Sequence, residues 1–455
     1  MLGLKPFKPR KIIEYLVMKV KQLIEVLGIK GDFSGRFLSR DIKDFQIDSR
    51  LIRKGDFFVP LKGTRHDGHR FIPDALEKGA SGFFSQNPTG LEGEVPVDDT
   101  LKALTEVGKF KRKRLSIAIG ITGTSGKTTT KELISAGLEG FYRTYQTPGN
   151  YNNEIGVPLT LANIPDDAQL GVFEFGAGKV GDIRHLVNIA TPEIRILTSV
   201  GHGHTEKFGS FENVIKGKGE IFEGGELAIL PYSLQRYYDL SRKITFGPEE
   251  DADIRIVSAM VEHSGTAGVF EVNGRRYHVK LPVYNLSTIY NTGILLAVAV
   301  YLGISPEKVL GNISEFQLPE GRGKVLKFGG ITVIDDTYNA NPLSVKNAIK
   351  TLSAIPGFRV IVLGDMLELG EYSDKLHREI GRFVASSDID VAVFYGEKMK
   401  LAYNEAVRSV KSLYSSDKGE IARIIKDLSD NNPIVLIKGS RGMKMEEVIQ
   451  KIPEF

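Results

Sequence analysis

The stretch Ser116-Ile-Ala-Ile-Gly-Ile-Thr122-Gly-Thr-Ser-Gly-Lys-Thr-Thr129 decides the fold of the middle of this chain. Residues 116–121 form an apolar run that predicts a buried strand, and residues 127–140 carry a helical pattern. A strand, a glycine-rich turn and a helix in this order point free backbone N–H groups and the positive end of the helix at one spot. Such a spot suits phosphate, so residues 123–129 are predicted to cradle the phosphates of ATP.

Two side chains of this loop carry the expected phosphate chemistry. Lys127 would neutralise the β- and γ-phosphates, and the Thr128 hydroxyl would ligate Mg²⁺. The usual pattern has a glycine five residues before Gly126, but Ile121 stands there, so the loop is a shorter Gly-x-x-Gly-Lys-Thr form. A plain glycine-rich turn is the alternative, which the Gly-Lys-Thr-Thr sequence between a strand and a helix disfavours. The predicted nucleotide-binding residues of the loop are Gly123, Thr124, Ser125, Gly126, Lys127, Thr128 and Thr129.

A carboxylate inside an apolar strand is the next candidate for the site. Glu174 lies in Gly171-Val-Phe-Glu-Phe175, and a buried carboxylate is costly unless it is paired or bound to a metal. Near the end of a strand in the same sheet as the phosphate loop, this carboxylate is well placed for Mg²⁺. A salt-bridged core residue is the alternative interpretation.

Two histidines and a lysine follow farther along the chain. His202 and His204 lie in Gly201-His-Gly-His-Thr-Glu206 after a predicted strand, where they could pair on a transition metal or face solvent. No third nitrogen or sulfur ligand lies nearby, which argues against zinc, and a contact of His204 to Mg²⁺ would be unusual from chemistry alone. Lys218, in Lys216-Gly-Lys-Gly-Glu-Ile221, is by itself a lysine on the surface of a helix.

Apolar runs divide the chain into three regions, which we predict as domains at residues 18–105, 106–315 and 316–455. The first mixes short strands and helices with many glycines. The second alternates strand runs with helical patterns, as in a mostly parallel sheet, and residues 244–281 predict an antiparallel patch within it. The third predicts another open α/β sheet. Strands are predicted at residues 116–121, 171–175, 194–200 and 227–230 in the second region and at 331–334, 360–363, 391–394 and 434–437 in the third.

The composition limits the classes of protein that remain. The chain has 455 residues, a net charge of +4 and a pI near 8.8, which gives no reason to expect nucleic acid or an anionic membrane as a partner. It has no cysteine, which excludes disulfides, thiolate catalysis and cysteine-ligated zinc. No apolar run approaches the ~18–20 residues that span a bilayer, and the basic N-terminus makes a poor signal peptide. We therefore expect a cytoplasmic protein, in which residues 1–17 are either an extension ahead of the first domain or the result of a start codon assigned too early.

Several motifs, in order along the chain, resemble those of the Mur ligases, the cytoplasmic enzymes that build the stem peptide of peptidoglycan. The phosphate loop is similar to their ATP loop, and the resemblance covers nearly the whole chain after about residue 18. The other matching motifs are Asp48-Ser-Arg50, Gly55-Asp-Phe-Phe-Val59, Pro148-Gly-Asn-Tyr-Asn-Asn-Glu-Ile-Gly-Val-Pro-Leu159, Glu320-Gly-Arg322, Asp335-Asp-Thr-Tyr-Asn-Ala-Asn-Pro342, Gly364-Asp-Met-Leu-Glu-Leu-Gly370 and Lys438-Gly-Ser-Arg441.

This resemblance implies an ATP-dependent ligase that forms ADP and phosphate. The motifs look like those of the family member that joins D-alanyl-D-alanine to UDP-N-acetylmuramoyl-tripeptide through an acyl phosphate. The implied α/β fold has a small N-terminal domain for the UDP-sugar, a central mostly parallel sheet with the phosphate loop, and a C-terminal Rossmann-like domain. The last of these would close on the nucleotide and the amine. We expect the chain to act as a monomer, without nucleic acid and without insertion into a membrane.

The resemblance also implies roles for particular residues. Glu174 and His204 match the Mg²⁺ ligands of the family, which holds two such ions, and Thr128 completes the implied metal set with Lys218. Lys218 matches the lysine that many of these ligases carry as a carbamate. Catalytic roles fall to Lys127, Lys218 and His204, further nucleotide contacts to Arg322, Asp336 and Asn339, and substrate contacts to Ser49, Arg50, Asn152 and Asn153.

One corner of the implied nucleotide site departs from the family. Ahead of Asn291 the family has a His-Asn pair near the adenine, but Ser287 and Thr288 stand at these positions. Asn291 itself still matches. The resemblance therefore predicts a base site at Asn291 without its usual neighbours, and a weaker or relaxed preference for adenine.

Three other functions remain open from the residues. A related ligase that adds a single amino acid, or glutamate to a folate, would share the ATP loop, but Asn339-Ala-Asn-Pro342 and the pair Asn152-Asn153 argue against it. A regulatory GTPase would carry an Asn-Lys-x-Asp motif, which the chain lacks. A nucleic-acid ATPase would present a basic face, which the nearly balanced charge disfavours.

Overall fold

Three β-sheets, one after another along the chain, organise the fold. The computed structural model describes residues 17–63 and 66–454, so the predicted N-terminal extension, except Val17, lies outside the described residues. The first sheet has four parallel strands in the order β1-β2-β3-β4, and phenylalanine rings pack in its core. Its elements are α1 Val20–Leu27, α2 Gly35–Leu38, β1 Phe45–Gln46, β2 Phe57–Phe58, α3 Ile72–Glu77, β3 Gly82–Ser85, β4 Glu94–Pro96 and α4 Thr100–Arg112.

The second sheet has nine strands in the order β13-β12-β11-β10-β9-β8-β5-β7-β6. Strands β5 to β11 pair in parallel, and the hairpins β11-β12 and β12-β13 are antiparallel. Its strands are β5 Ile117–Thr122, β6 Thr144–Gln146, β7 Leu170–Glu174, β8 Ile194–Leu197, β9 Leu227–Pro231, β10 Lys243–Gly247, β11 Ile254–Glu262, β12 Gly265–Val272 and β13 Arg275–Leu281. Its helices are α5 Lys127–Gly137, α6 Gly156–Ala162, α7 Asp182–Ala190, α8 Thr205–Phe208, α9 Phe211–Gly219, α10 Leu286–Leu302 and α11 Pro306–Asn312.

The third sheet has six strands in the order β14-β15-β19-β16-β17-β18, and of these described strands only β14 runs antiparallel to its neighbour. Apolar clusters fill both faces between this sheet and its helices. Its elements are β14 Lys324–Phe328, β15 Ile331–Asp336, α12 Pro342–Ser353, β16 Arg359–Gly364, α13 Ser373–Ala385, β17 Val391–Tyr395, α14 Met399–Ala406, β18 Lys411–Ser415, α15 Lys418–Asp427, β19 Ile434–Lys438 and α16 Glu446–Lys451.

The predicted three-domain α/β fold class is confirmed, and all eight predicted strands are present within a few residues. Three details of the prediction are wrong. The strand predicted at 194–200 ends at Leu197, and the helix predicted to reach 140 ends at Gly137. The start of the predicted antiparallel patch, β10, pairs in parallel with β9 and β11. The exact domain boundaries at 18–105, 106–315 and 316–455 stay a prediction.

The phosphate-loop strand lies at the switch point of the second sheet. β5 is flanked by β7 on one side and β8 on the other, and Ile121 pairs with Glu174 while Thr122 pairs with Leu197. The carboxyl ends of the three strands therefore meet at one edge. Open α/β sheets bind their ligands outside such an edge, where the strand order reverses.

Helix α10 is mostly buried, and its apolar residues are not confined to one face. It packs against α5, β10 and β11, and most of its 17 residues are buried. The Asn285 side chain caps its first turn, and Gly303 ends it in the left-handed conformation, with φ +72°. Among the described residues, no helix combines the length and apolar character needed to cross a membrane.

The third region contacts the second close to the switch-point edge. The Lys207 ammonium lies 2.9 Å from Oε1 of Glu368, and the backbone N–H of Glu206 donates to the Glu368 carbonyl. At the other side of the edge, the N–H of Leu286 donates to the Thr351 hydroxyl at 3.2 Å. Direct hydrogen bonds therefore join the second and third regions at two places.

The packing of α13 against α14 yields a first prediction. A Cβ added at Gly381 would lie 2.7 Å from the Ala402 Cα and overlap its carbonyl, whereas one at Gly311, also in a helix, meets nothing within 4 Å. We expect Gly381→Ala to destabilise the protein by about 1–3 kcal/mol, because backbone atoms must move apart. Gly311→Ala should be neutral or stabilising by up to about 1 kcal/mol.

Thermal unfolding of the two variants beside the wild type measures this difference. Equal melting temperatures for both variants would show that α13 and α14 do not pack as closely as described.

Candidate active site

A cavity of about 600 Å³ lies at the switch-point edge, between the second and third regions. Its floor is the phosphate loop and the start of α5, and one wall comes from the ends of β7 and α9. The opposite wall comes from the third region, through β15, β19 and the start of α12. A cleft of this size, with convergent polar groups and a position between two regions, is the usual form of a small-molecule site.

Close approaches fix the shape of the phosphate loop. Gly123 and Gly126 adopt φ +149° and +88°, and a Cβ at Gly126 would lie 2.9 Å from Oδ1 of Asn291. At Gly123 a Cβ would overlap the Thr198 hydroxyl. Only glycine meets both demands, so the loop exposes backbone N–H groups at the start of α5. The Lys127 ammonium donates to the Gly123 carbonyl at 2.9 Å, which folds this side chain over the loop.

Glu174 ends β7 directly beside the loop. Its carboxylate is 3% exposed and accepts from the Thr128 hydroxyl at 2.8 Å and from the Asn152 amide at 2.9 Å. Both hydrogen-bond partners of the Glu174 carboxylate are neutral, so Glu174 is not a salt-bridged core residue in the described structure. Asn153 uses its side chain to cap the turn before α6, accepting from the N–H of Gly156 at 2.8 Å.

Lys218 is buried in the wall of the cavity. It is 1% exposed, so its interpretation as a helix-surface lysine is wrong. Burial, together with the nearby charge of Lys127, lowers the pKa of Lys218 to about 7. Burial also lowers the pKa of Lys127, against the opposing effect of Glu174. The centre of the Phe208 ring lies 5.7 Å from the Lys218 ammonium. The run of two lysines and two glycines in the sequence does not indicate that Lys218 is buried. Only the packing of α9 decides which of the two lysines faces inward.

His204 and His202 have different surroundings. His204, with φ +58°, precedes α8, lines the cavity and directs its Nδ1 at the Glu368 carboxylate from the third region. Burial lowers its pKa. His202 lies outside the cavity lining, stacked against Phe211 at 4.7 Å and tilted against Tyr372 at 5.2 Å. Of the two histidines, His204 lines the cavity, and His202 packs against aromatic rings.

The third region supplies cations to the cavity. The Arg322 guanidinium lies 4.0 Å from the centre of the Tyr338 ring, and both line the cavity with Asn339. Asp336 accepts from the Lys438 ammonium at 2.7 Å, and Lys438 also donates to the Asn339 carbonyl at 2.9 Å. This buried pair holds the end of β15 against the end of β19.

The structure gathers most, but not all, of the predicted site residues. Asn291 lines a second, adjoining cavity beside Gly126. Ser49 and Arg50 lie in neither cavity: Ser49 is buried in a turn of the first region, and the exposed Arg50 pairs with Asp48. The predicted residues that line the main cavity are Thr124, Ser125, Gly126, Lys127, Thr128, Thr129, Asn152, Asn153, Glu174, His204, Lys218, Arg322, Asp336 and Asn339.

Sequence analysis assigned no role to several residues of the lining, although Asn150 and Lys438 lie in motifs that resemble those of the family. Lys438 stands at the end of a predicted strand, and Asp182 begins a helix after a glycine. These two positions in the sequence could have predicted that both residues lie near the site. Lys207 and Asn347 lie on helices with no distinguishing pattern. Among the polar residues that were missed are Asn150, Asp182, Lys207, Asn347 and Lys438.

The oxygen donors beside the loop fit Mg²⁺. Magnesium prefers oxygen ligands, keeps several waters and is usually completed by substrate phosphates. The Thr128 hydroxyl and the Glu174 carboxylate are adjacent oxygens at the phosphate loop. Within residues 17–63 and 66–454, no group of three or more His, Cys, Asp or Glu side chains gathers to hold a metal. The arrangement therefore suits a metal held partly by a nucleotide, and not a closed protein cage.

Comparison with known proteins identifies the class. Family models for the Mur ligase catalytic domain, middle domain and glutamate ligase domain match residues 41–115, 121–301 and 321–441. The UDP-N-acetylmuramoyl-tripeptide–D-alanyl-D-alanine ligase of Bacillus subtilis is 31% identical over 96% of this chain and 98% of its own. The chain belongs to the Mur ligase family, and it is an ATP-dependent ligase.

Solved structures narrow the comparison. A crystal structure of MurF from Acinetobacter baumannii superposes with a TM-score of 0.85 at 27% identity, covering 97% of this chain and all of that one. The MurF ligase from Thermotoga maritima, solved in complex with ADP, gives a TM-score of 0.80 at 30% identity, covering 93% and 99%. The similarity extends over all three regions of the fold.

The contacts of Lys127 generate a second prediction. Its ammonium bonds the loop carbonyl of Gly123 and no other described group, so Lys127→Ala should leave the fold intact. Without this cation at the transferring phosphoryl group, turnover should fall at least about 100-fold at saturating ATP. The exposed Lys179 lies just outside the cavity, and Lys179→Ala is the matched control.

Release of ADP and circular dichroism, recorded on both variants, measure turnover and folding. Turnover of Lys127→Ala within about tenfold of the wild type would contradict the phosphate-loop assignment.

Proposed function

We propose that this chain joins D-alanyl-D-alanine to UDP-N-acetylmuramoyl-tripeptide, with conversion of ATP to ADP and phosphate, during the synthesis of peptidoglycan precursors. The observation that carries this proposal is the composition of the main cavity, where the phosphate loop and Asn152 face Arg322 and Asn339 of the third region. The full-length relatives named for this reaction support the choice of substrates.

The chemistry follows from the poor reactivity of a carboxylate. The terminal carboxylate of the tripeptide attacks the γ-phosphorus of ATP, the bond to the bridging oxygen breaks, and ADP leaves. The amine of D-alanyl-D-alanine then attacks the resulting acyl phosphate, and phosphate leaves. Lys127 and the N–H groups of the loop stabilise the charge on the transferring group. Closure of the third region on the second would exclude water that could otherwise hydrolyse the acyl phosphate.

Mg²⁺ belongs to this proposal as a bound cofactor. Thr128 and Glu174 would hold it, and when bound it neutralises phosphate charge. His204 is the third proposed contact, and its Nδ1 faces Glu368 in the described conformation. The metal role of His204 would therefore use the other ring nitrogen or a shift of Glu368.

A carbamate on Lys218 is the most specific part of the proposal. Formation of a carbamate requires a neutral amine, and a pKa of about 7 provides it near neutral pH. The neutral fraction of the amine grows as the pH rises through this pKa. CO₂ added to the amine converts a buried cation into a carboxylate-like group beside Lys127, which removes a repulsion and offers oxygen ligands to a metal.

The remaining roles are proposed on resemblance together with position. Ser49 and Arg50 would contact the UDP end of the substrate in the first region, and Asn152 and Asn153 would contact its peptide. Nucleotide contacts from the third region would be Arg322, Asp336 and Asn339, with Asn291 at the base. A monomeric state, the absence of a nucleic-acid partner and a cytoplasmic location stay predictions.

The choice of amine provides a third prediction. D-alanyl-D-alanine should give a higher specificity constant than free lysine, diaminopimelate or glutamate, because the matched relatives over the whole chain carry the dipeptide in their names. Release of ADP with each amine, in the presence of UDP-N-acetylmuramoyl-tripeptide and ATP, is the measurement. A higher constant for a single amino acid would replace the proposed reaction with that of a related amide ligase.

Lys218 provides a fourth prediction with a close control. Lys218→Ala should lose at least about 100-fold in turnover, and added acetate or bicarbonate should restore part of it by occupying the vacated space. Lys216→Ala changes an exposed lysine on the same helix and should turn over like the wild type.

Wild-type turnover of Lys218→Ala without additive would refute the role. A loss that no short carboxylate relieves, in a folded variant, would favour a structural lysine over a carbamate.

A further inference from the structure

The Arg322 side chain lines the main cavity, yet among the described residues it forms no hydrogen bond and no ion pair. Three lysines of the same lining behave differently. Lys127, Lys207 and Lys438 each donate to a protein oxygen at 2.9 Å or less. The guanidinium of Arg322 instead lies over the ring of Tyr338, with its Cζ atom 4.0 Å from the ring centre. All five of its N–H donors therefore stay available to a ligand.

The charge of Arg322 acts on the centre of the site. Burial lowers the pKa of Lys127, and the positive charge of Arg322 lowers it further. Asp336 gives its Oδ2 atom to Lys438 at 2.7 Å and forms no ion pair with Arg322 in the described structure. The other cations of the cavity repel an arginine in this position, so a neutral group has to hold it there.

Two motifs that lie apart in the sequence meet at this contact. Strands β14 and β15 form an antiparallel hairpin, so the turn before β14 and the loop after β15 lie side by side. The N–H of Tyr338 donates to the Gly321 carbonyl at 2.9 Å, and a Cβ at Gly321 would lie 3.1 Å from this nitrogen. Gly321, with φ +71°, thus lets the backbone before Arg322 dock directly on Tyr338.

An aromatic ring suits a guanidinium that must stay available. The ring quadrupole attracts the cation, and a stack on the ring face leaves the N–H groups in the guanidinium plane uncommitted. A carboxylate partner would take two of these donors and offset the charge. Arg441 lies farther from the Tyr338 ring, at 6.0 Å, and already pairs with Glu446. The Tyr338 hydroxyl has no hydrogen-bond partner among the described residues, so its ring face is the part that serves Arg322.

We infer that Tyr338 is a positioning residue for the ligase reaction, whose ring holds the Arg322 guanidinium over the cavity with its N–H groups free for the polyphosphate of the nucleotide. This inference rests on the proposed contact of Arg322 with the nucleotide and names the group that orients it. An aromatic face at position 338 is required, and a hydroxyl is not. The effect of Tyr338 on nucleotide binding therefore vanishes when Arg322 is removed.

The test is a double-mutant cycle on the binding of adenylyl imidodiphosphate, an ATP analogue that resists hydrolysis, in the presence of Mg²⁺. Tyr338→Leu should weaken binding about 3- to 30-fold, which is the range for one cation–π contact. Tyr338→Phe keeps the ring face and should stay within about twofold of the wild type. In the Arg322→Ala background, Tyr338→Leu should change the affinity by less than about twofold, because the group that the ring holds is gone.

Tyr237→Leu is the matched control, since Arg236 lies over Tyr237 at 4.9 Å outside the lining of the main cavity. This variant should bind the analogue like the wild type. Calorimetric titration measures each affinity, and thermal unfolding checks that each variant is folded. Tyr338→Met, with the same expected loss, takes the place of Tyr338→Leu if the leucine variant unfolds at the temperature of the titration.

Three results would overturn the inference: wild-type affinity in Tyr338→Leu, a loss in Tyr338→Phe as large as in Tyr338→Leu, or an equal loss from Tyr338→Leu in the Arg322→Ala background. Wild-type affinity in Arg322→Ala would refute the proposed nucleotide contact of Arg322, and the inference with it. The titrations use neither the amine nor the UDP-substrate, so failure of the chain to use D-alanyl-D-alanine would leave their result valid.

Discussion

The active site depends on an excess of positive charge in a cavity where the charged groups are buried from water. Two ammonium groups, those of Lys127 and Lys218, face the carboxylate of Glu174, whose oxygens are already bonded to neutral partners. Burial lowers the pKa of both lysines, and a nearby cation, Arg322 for Lys127 and Lys127 for Lys218, lowers each pKa further. A ligand rich in negative charge relieves this repulsion. The protein therefore maintains a pocket that is more stable with a polyphosphate than without one.

The sheet topology makes this imbalance possible. Strands β5 and β7 end side by side, so the start of α5 and the Glu174 carboxylate reach one point from different parts of the chain. Helix α9 adds Lys218 from a third direction. Close packing at Gly123 and Gly126 fixes the loop, and residues distant in the sequence, Thr198 and Asn291, are what it packs against.

The third region completes the site through a few polar contacts. Glu368 meets both Lys207 and His204, and the pair Asp336–Lys438 stiffens the wall that carries Arg322 and Asn339. Interfaces of this polar kind between domains permit relative motion. A ligase that must admit three substrates and then exclude water needs such a joint, since a large apolar interface would hold the cleft in one state.

The sequence alone determined the α/β class, the strands and the phosphate loop, because these follow from local apolar periodicity and from glycines at fixed spacing. It also determined the family, through motifs spread over the chain. The same motifs named most residues of the site, Glu174, His204 and Lys218 among them, whereas only the tertiary structure decided their burial and their contacts. Whether Lys218 faces solvent or a cavity, and whether His202 or His204 enters the site, depend on packing between distant elements. Burial sets the energy of a charge, and no local pattern encodes burial at these positions.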